Sequence, residues 1–213
     1  MRTDDLIAVL AADISPIDPG RSDRRFFTKL AGGAVLALAA MLVLMGTRPD
    51  LSGAAGLPLF WIKLILSASL ALAALVALRR LSYPGMRLGR SPAAAALPVT
   101  ALWLFAGVVL LTAPAGERLE LVLGESWLKC PLSIVLLSLP ALGLALWAAR
   151  ELAPTRLALA GAAAGLFAGA VAAFAYALNC TEMQAPFVAV WYVLGMLIPV
   201  GAGALLGRRL LRW

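Results

Sequence analysis

The chain has 213 residues, of which 62% are hydrophobic and only 14% are charged, and it carries a net charge of +7. The mean hydropathy of +0.94 exceeds what a soluble core requires, which excludes an ordinary soluble domain and indicates a membrane protein. A transmembrane barrel is excluded as well, because its strands would alternate polar and apolar residues. The excess positive charge indicates membrane topology and attraction to anionic lipid, and not nucleic-acid binding.

The first 29 residues form the only sizeable segment outside the apolar blocks. Thr3, Asp4 and Asp5 predict a helix start, with a hydroxyl cap and carboxylates at the positive end of the helix dipole. The residues that follow share one apolar face at helical spacing: Leu6, Ile7, Leu10 and Ile14. Two interpretations of this stretch remain open: a short amphipathic helix that binds a partner, or a poorly ordered tail.

Within 1–29 the charge is divided. Residues 1–20 are acidic, with Asp13 and Asp18 joining the two early aspartates, and they should be repelled by an anionic membrane surface. Residues 21–29 are basic and predict a juxtamembrane anchor.

Six apolar blocks follow, each about the 17 to 25 residues that cross a hydrocarbon core as a helix. They cover residues 30–46, 58–78, 93–113, 128–149, 157–178 and 186–207. We therefore predict an all-α bundle of six transmembrane helices over residues 30–207, followed by a basic tail at 208–213.

The basic residues predict the orientation of the bundle. Fourteen of the 18 lie on one side, and the four on the other side are Arg48, Lys63, Arg118 and Lys129. Because Lys and Arg accumulate in cytoplasmic loops, both termini are predicted to lie in the cytoplasm of a bacterium, with the spans in its inner membrane.

The fifth span carries small residues at every fourth position. Gly161, Gly165 and Gly169 form a stripe, continued by Ala173 and Ala177, that lets another helix approach closely. The pattern favours packing within the chain, and a homodimer seam remains the alternative.

The spans are poor in residues that carry chemistry. The chain has no His, no predicted span contains Asp or Glu, and Lys63 is expected to extend its ammonium outward from a position near a span end. These features disfavour an enzyme, and no cofactor is predicted. A small transporter or channel remains an alternative, with only hydroxyl side chains to line its path: Ser67, Ser69, Thr100, Ser133 and Ser138. A structural scaffold is a third interpretation.

The two cysteines lie at the outward ends of consecutive spans, Cys130 at the start of the fourth and Cys180 after the fifth. Thiols that face an oxidising compartment can form a disulfide, react with oxidants or bind soft metals. Lys129 is expected to favour the thiolate form of Cys130. A responsive pair that is oxidised or transiently binds a metal, a static disulfide and inert packing all remain open, although two thiolates alone make an incomplete zinc site.

The stretch from Arg2 to Asp13, the six spans and the outward cysteines together resemble the NrsF-type negative regulators of extracytoplasmic-function (ECF) sigma factors. The resemblance implies a membrane anti-sigma factor whose cytoplasmic N-terminus holds an ECF sigma factor away from RNA polymerase. It implies that Cys130 and Cys180 perceive the signal. It places the sigma-binding surface at Thr3, Asp4, Asp5, Leu6, Ile7, Leu10, Asp13 and Ile14.

These expectations combine into a two-state switch. A change at Cys130 and Cys180 alters the relation of the fourth and fifth spans, passes along the stripe from Gly161 to Ala177, and weakens the hold of the N-terminal helix on the sigma factor.

Overall fold

The computed structural model of the protein describes residues 2–12 and 19–212. The regular structure of these residues is entirely helical, and six of the helices are long and apolar enough to cross a membrane. Asp13 and Ile14, predicted to belong to the N-terminal helix, lie outside the described residues. The elements in chain order are α1 Thr3–Ala12, α2 Pro19–Leu44, α3 Leu51–Ala54, α4 Pro58–Ser82, α5 Ser91–Thr112, α6 Arg118–Leu123, α7 Lys129–Arg150, α8 Leu157–Ala177 and α9 Ala185–Leu210.

The first long helix begins well before the first apolar block. Helix α2 starts at Pro19, so the basic residues 21–29, expected to be a separate anchor, form its opening turns. Proline is favoured at a helix start because its missing N–H is not needed there. The other five long helices begin and end within a few residues of the predicted blocks.

The helix α8 occupies the centre of the bundle. It packs against α4, α7, α9 and α2, whereas α5 lies at the edge against α4 and the start of α9. Most of α8 is alanine and glycine, and these small side chains let four neighbours approach its axis.

The glycine stripe of α8 faces α9. A Cβ added at Gly161 would overlap the carbonyl oxygen of Gly203, and one at Gly165 would overlap that of Pro199. At Gly169 an added Cβ would come within 3.0 Å of the Met196 backbone. The stripe is therefore covered by another helix of the same chain.

The outer surface of the bundle is apolar. Val43, Leu104 and Leu111 are 83%, 74% and 78% exposed, and similar side chains surround the long helices. An aqueous solvent would penalise such a surface, whereas lipid would not, so the fold indicates a multi-pass membrane protein.

The N-terminal helix α1 is capped differently from the prediction. Thr3 is its first helical residue, and the Asp5 carboxylate accepts a hydrogen bond from the backbone N–H of Arg2 at 3.4 Å. This bond is one half of a capping box, in which a carboxylate three residues inside the helix start accepts the N–H of the capping residue. The side chains of Thr3, Asp4, Asp5 and Ile7 are exposed.

Candidate functional site

Both cysteines lie at one end of the bundle. We call it the cysteine end; it is formed by residues 45–57, 113–128 and 178–184 together with the adjoining helix ends. Cys130 sits in the first turn of α7, and Cys180 lies in the short connection between α8 and α9. Because α7 and α8 are packed antiparallel, the start of one meets the end of the other, and this brings the two thiols together.

The two cysteines are buried free thiols, close enough for Cys130 to shift the pKa of Cys180. The hydrogen bond from the Cys130 thiol and, to a smaller extent, the nearby charge of Lys63 together lower the pKa of the Cys180 thiol to about 6, against the opposing effect of burial. Cys180 is therefore the sulfur that more readily carries the negative charge. A thiolate beside a thiol is the reactive half of a pair that can close to a disulfide.

Lys63 lies inside this site, contrary to the expectation that it reaches outward. Its side chain is fully buried, and its ammonium donates hydrogen bonds to the backbone carbonyls of Glu182 at 2.5 Å and Cys180 at 3.4 Å. These carbonyls belong to the connection that follows α8, which turns over the start of α4. The ammonium is held there because the loop supplies acceptors that lipid lacks.

The lysine next to Cys130 has a different position from the one predicted. Lys129 is exposed, whereas Lys63 interacts electrostatically with both thiols and Arg48 with Cys180. The reason is helical geometry, since residues adjacent in sequence point about 100° apart around a helix axis.

A second cation braces the connection from the other side. The Arg48 guanidinium forms a two-point ion pair with Asp50, with both N–O distances 2.7 Å, and also donates to the carbonyl of Cys180 at 3.3 Å. The hydrogen bond from Arg48 lowers the pKa of the Asp50 carboxyl. Arg48 thus fixes the loop between α2 and α4 against the loop that carries Cys180.

Glu182 ties the same connection to the start of α7. Its carboxylate oxygen Oε1 accepts hydrogen bonds from the backbone N–H groups of Glu125 and Ser126, each at 3.0 Å, and from the Ser126 hydroxyl at 2.9 Å. The backbone carbonyl of Ser126 in turn accepts a hydrogen bond from the backbone N–H of Cys130 at 2.9 Å. The Glu182 carboxylate therefore links the two cysteine-bearing segments.

Tyr192 closes the site from α9. Its ring lies 5.6 Å from the Lys63 ammonium and 6.1 Å from the ring of Tyr176. The Tyr192 hydroxyl faces Cys180, is fully buried and makes no hydrogen bond of good geometry with any residue that the structure describes. A buried hydroxyl without a hydrogen bond costs free energy. A chemical change at the Cys180 sulfur would therefore alter the free energy of this contact.

The backbone around Tyr192 is also specialised. Residues Val188–Tyr192 form a π-helical turn within α9, and the Ala189 carbonyl in this turn accepts the indole N–H of Trp103 from α5 at 3.0 Å. Such turns are uncommon and occur often at functional sites.

The donor set does not complete a metal centre. Within residues 2–12 and 19–212, no group of three or more His, Cys, Asp or Glu side chains is placed to hold an ion. Two thiols without a third ligand suit disulfide chemistry better than a tightly held metal.

Four of the five hydroxyl side chains considered for a transport path are hydrogen-bonded within their own helices, and Ser133 interacts with Tyr176 of α8. Ser67, Ser69, Thr100 and Ser138 each donate to a backbone carbonyl three or four residues earlier, at 2.7 to 2.9 Å. Among the residues that the structure describes, these four side chains therefore form no convergent polar site at mid-bundle of the kind that a transporter requires.

Comparison with known proteins identifies the class. Residues 10–213 match the family described as "NrsF: Negative regulator of sigma F", and the chain belongs to this family. It is 45% identical to the "Probable anti-sigma-F factor NrsF" of Azospira oryzae and 43% identical to the "Anti-sigma-F factor NrsF" of Caulobacter vibrioides, with full coverage of both chains in each case. No solved structure matches. The protein is thus a negative regulator of a sigma factor and not an enzyme.

Proposed function

We propose that this protein is an inner-membrane anti-sigma factor that holds an ECF sigma factor through its cytoplasmic N-terminus and releases it when Cys130 and Cys180 are oxidised. The observation that carries the proposal is the pair of neighbouring buried thiols beside a buried lysine at one end of the bundle. Such a pair has a reactive thiolate and a resolving partner already in contact.

The orientation follows from the charges. Of the basic residues that the structure describes, the cysteine end carries only Arg48, Lys63, Arg118 and Lys129, most of the others lie toward the opposite end of the long helices, and basic loops face the cytoplasm in bacterial inner membranes. In this orientation the thiols face the envelope, where oxidants arrive, and both termini face RNA polymerase.

The N-terminal segment has the character of a partner-binding element. Helix α1 is short, acidic at its start, and carries Leu6, Ile7 and Leu10 on one face by helical spacing. A ten-residue helix is marginal in water by itself, so a groove on the sigma factor would supply the missing contacts. Asp4 and Asp5 would pair with basic residues on that partner. The sigma factor is the one partner besides the lipid bilayer that the proposal requires.

Two contacts link the helices next to the thiols to the rest of the bundle and to α2. The glycine stripe Gly161, Gly165 and Gly169 holds α8 against α9, so a shift at the cysteine end moves both helices together. At the opposite end, Lys29 of α2 forms an ion pair with Glu151 after α7. A change in the relation of α7 and α8 would therefore reach the helix that follows the sigma-binding segment.

Replacement of the cysteines tests the proposal. Cells that carry Cys130→Ser, Cys180→Ser or the double variant should repress sigma-dependent transcription normally in reducing conditions and fail to induce it after treatment with a hydroperoxide. A Ser67→Ala variant, which changes a buried hydroxyl outside the thiol pair, is the matched control and should induce normally.

The same cells distinguish oxidation of the thiols from metal binding as the signal. Induction by a soft divalent cation but not by a hydroperoxide would assign the thiols to metal capture in place of oxidation. Normal induction of the double cysteine variant by both reagents would remove the sensing role altogether.

A further inference from the structure

Lys63 is a buried cation without an acidic side chain as partner. Among the described residues the ion pairs involve Lys29, Arg48 and Arg79, and none involves Lys63. Its ammonium contacts two backbone carbonyls and the face of Tyr192. Carbonyl dipoles and an aromatic ring solvate a cation, but they carry no net negative charge.

A nearby negative charge offsets much of the free-energy cost of burying an ammonium. The groups available in this site are the two thiols, both of which interact electrostatically with Lys63. The hydrogen bond from Cys130 leaves Cys180 as the sulfur that carries the charge. In the reduced protein, then, the thiolate lies beside two cations: Arg48, which is already paired with Asp50, and Lys63, for which the thiolate is the counter-ion.

Oxidation removes the negative charge. With a hydroperoxide, the Cys180 thiolate attacks the O–O bond, and the Cys130 thiol completes the disulfide. Cys180–S⁻, Cys130–SH and ROOH give the disulfide, ROH and OH⁻, so the two sulfurs lose the two electrons that the peroxide gains. The disulfide is neutral, and Lys63 remains as an unpaired cation in a buried site.

We propose that Lys63 is the residue that converts thiol oxidation into a structural change, since it is the counter-ion of the thiolate in the reduced state and an uncompensated charge in the oxidised state. This inference rests on the proposed function. The uncompensated charge favours displacement of the start of α4 from the cysteine end, because only water or lipid headgroups can then solvate it.

The far end of α4 contacts the start of α2, so a displacement of α4 would reach that helix. The helix runs unbroken from Pro58 to Ser82, and beyond its other end the Tyr83 hydroxyl donates to the Asp23 carboxylate at 2.7 Å. Arg79, in the last turns of α4, donates to the same carboxylate at 2.7 Å. Asp23 lies in the first turns of α2, directly after the sigma-binding segment.

The thiol–disulfide equilibrium tests the proposal with full-length protein in lipid nanodiscs titrated with glutathione. Because Lys63 stabilises the thiolate and destabilises the disulfide state, Lys63→Met should shift the equilibrium toward the disulfide by about tenfold, or about 30 mV for a two-electron couple. Lys63→Gln keeps a hydrogen-bond donor without the charge and should shift it in the same direction. Lys63→Arg keeps the charge and should remain near the wild type.

A second measurement in the same nanodiscs is sigma-factor binding by the oxidised forms. Oxidised Lys63→Met and Lys63→Gln should retain the sigma factor, whereas oxidised wild type and Lys63→Arg should release it. An equilibrium unchanged in both neutral variants, or shifted toward the dithiol, overturns the role of Lys63 even when wild type responds normally. Wild-type protein that forms no disulfide overturns the proposed function itself and the role of Lys63 with it.

Discussion

The ammonium of Lys63 donates a hydrogen bond to the backbone carbonyl of Cys180, and this contact joins the start of α4 to the loop that carries one of the two thiols. The neighbouring carbonyl of Glu182 accepts a second bond from the same ammonium. A charge placed among apolar helices is costly unless it is used. The contact therefore indicates that the cysteine end is a functional part of the molecule.

Cys180 should react at a lower pH than an ordinary thiol. Its pKa is lowered to about 6 by the hydrogen bond from Cys130, so the thiolate predominates above that pH and is lost as the pH falls through it. In a Cys130→Ser variant, the serine hydroxyl can still donate a hydrogen bond. The rate at which methyl methanethiosulfonate modifies Cys180 in this variant should fall to half of its high-pH value at a pH near this pKa. In Cys130→Ala the midpoint should move to higher pH, and equal midpoints in the two variants would contradict the assignment.

Loss of the Glu182 carboxylate should loosen the cysteine end. Glu182→Ala leaves the two backbone N–H groups and the Ser126 hydroxyl without their acceptor, at a cost of about 1–3 kcal/mol. Modification of Cys180 at a fixed pH should accelerate, and Glu182→Gln should give an intermediate rate. Glu120→Ala, at an exposed position in α6, is the control, and an equal acceleration there would argue against a specific link.

The glycine stripe of α8 should tolerate no larger side chain. Gly165→Leu places atoms against the Pro199 backbone of α9 and should destabilise the bundle by on the order of 1–3 kcal/mol. Gly143→Leu in α7, where an added Cβ meets nothing within 4 Å, should have little effect. Thermal unfolding of the two variants in detergent compares them directly, and equal stability would show that the α8 and α9 contact is adaptable.

The apolar face of α1 should be required for repression. Leu10→Asp places a charge on the face proposed to bind the sigma factor and should abolish co-purification of the two proteins. Ala8→Asp places the same charge on the opposite face of the helix and should preserve it. If both variants retain the sigma factor, the binding surface lies elsewhere.

Much of the fold could be predicted from the sequence because lipid imposes a simple rule on composition. A helix that crosses the bilayer needs an uninterrupted apolar block, and five of the six blocks match a helix of the structure within a few residues. The start of α2 could not be predicted in this way. Residues 21–29 are polar enough to lie in water or among lipid headgroups, yet they belong to the same helix. Hydropathy marks the lipid-covered part of a helix and not its full length.

The site could be predicted only in part. The depth of Cys130 and Cys180 follows from the span boundaries, so their proximity could be anticipated. The position of Lys63 could not, because a lysine near a span end can extend outward or fold inward, and the choice depends on acceptors from a loop distant in sequence. A signal was nevertheless present, since Lys63 and Lys129 are the only charged residues in the predicted spans, and Lys63 lies further from its span end.

The contacts of Arg48, Glu182 and Tyr192 could not be predicted either. Arg48 counted as one of four basic residues on the sparse side, with nothing in sequence to indicate its ion pair with Asp50 or its bond to Cys180. Glu182 and Tyr192 reach the site only because α7, α8 and α9 converge there. Such contacts depend on the packing order of the helices, which local patterns do not encode.

The most direct test of the account is the affinity of the sigma factor for the full-length protein in nanodiscs, measured with the thiols reduced and with the disulfide formed. A coupling of about 1–3 kcal/mol predicts an affinity 5 to 150 times weaker for the disulfide form. Equal affinity for the two forms would show that the thiol pair does not control sigma-factor release.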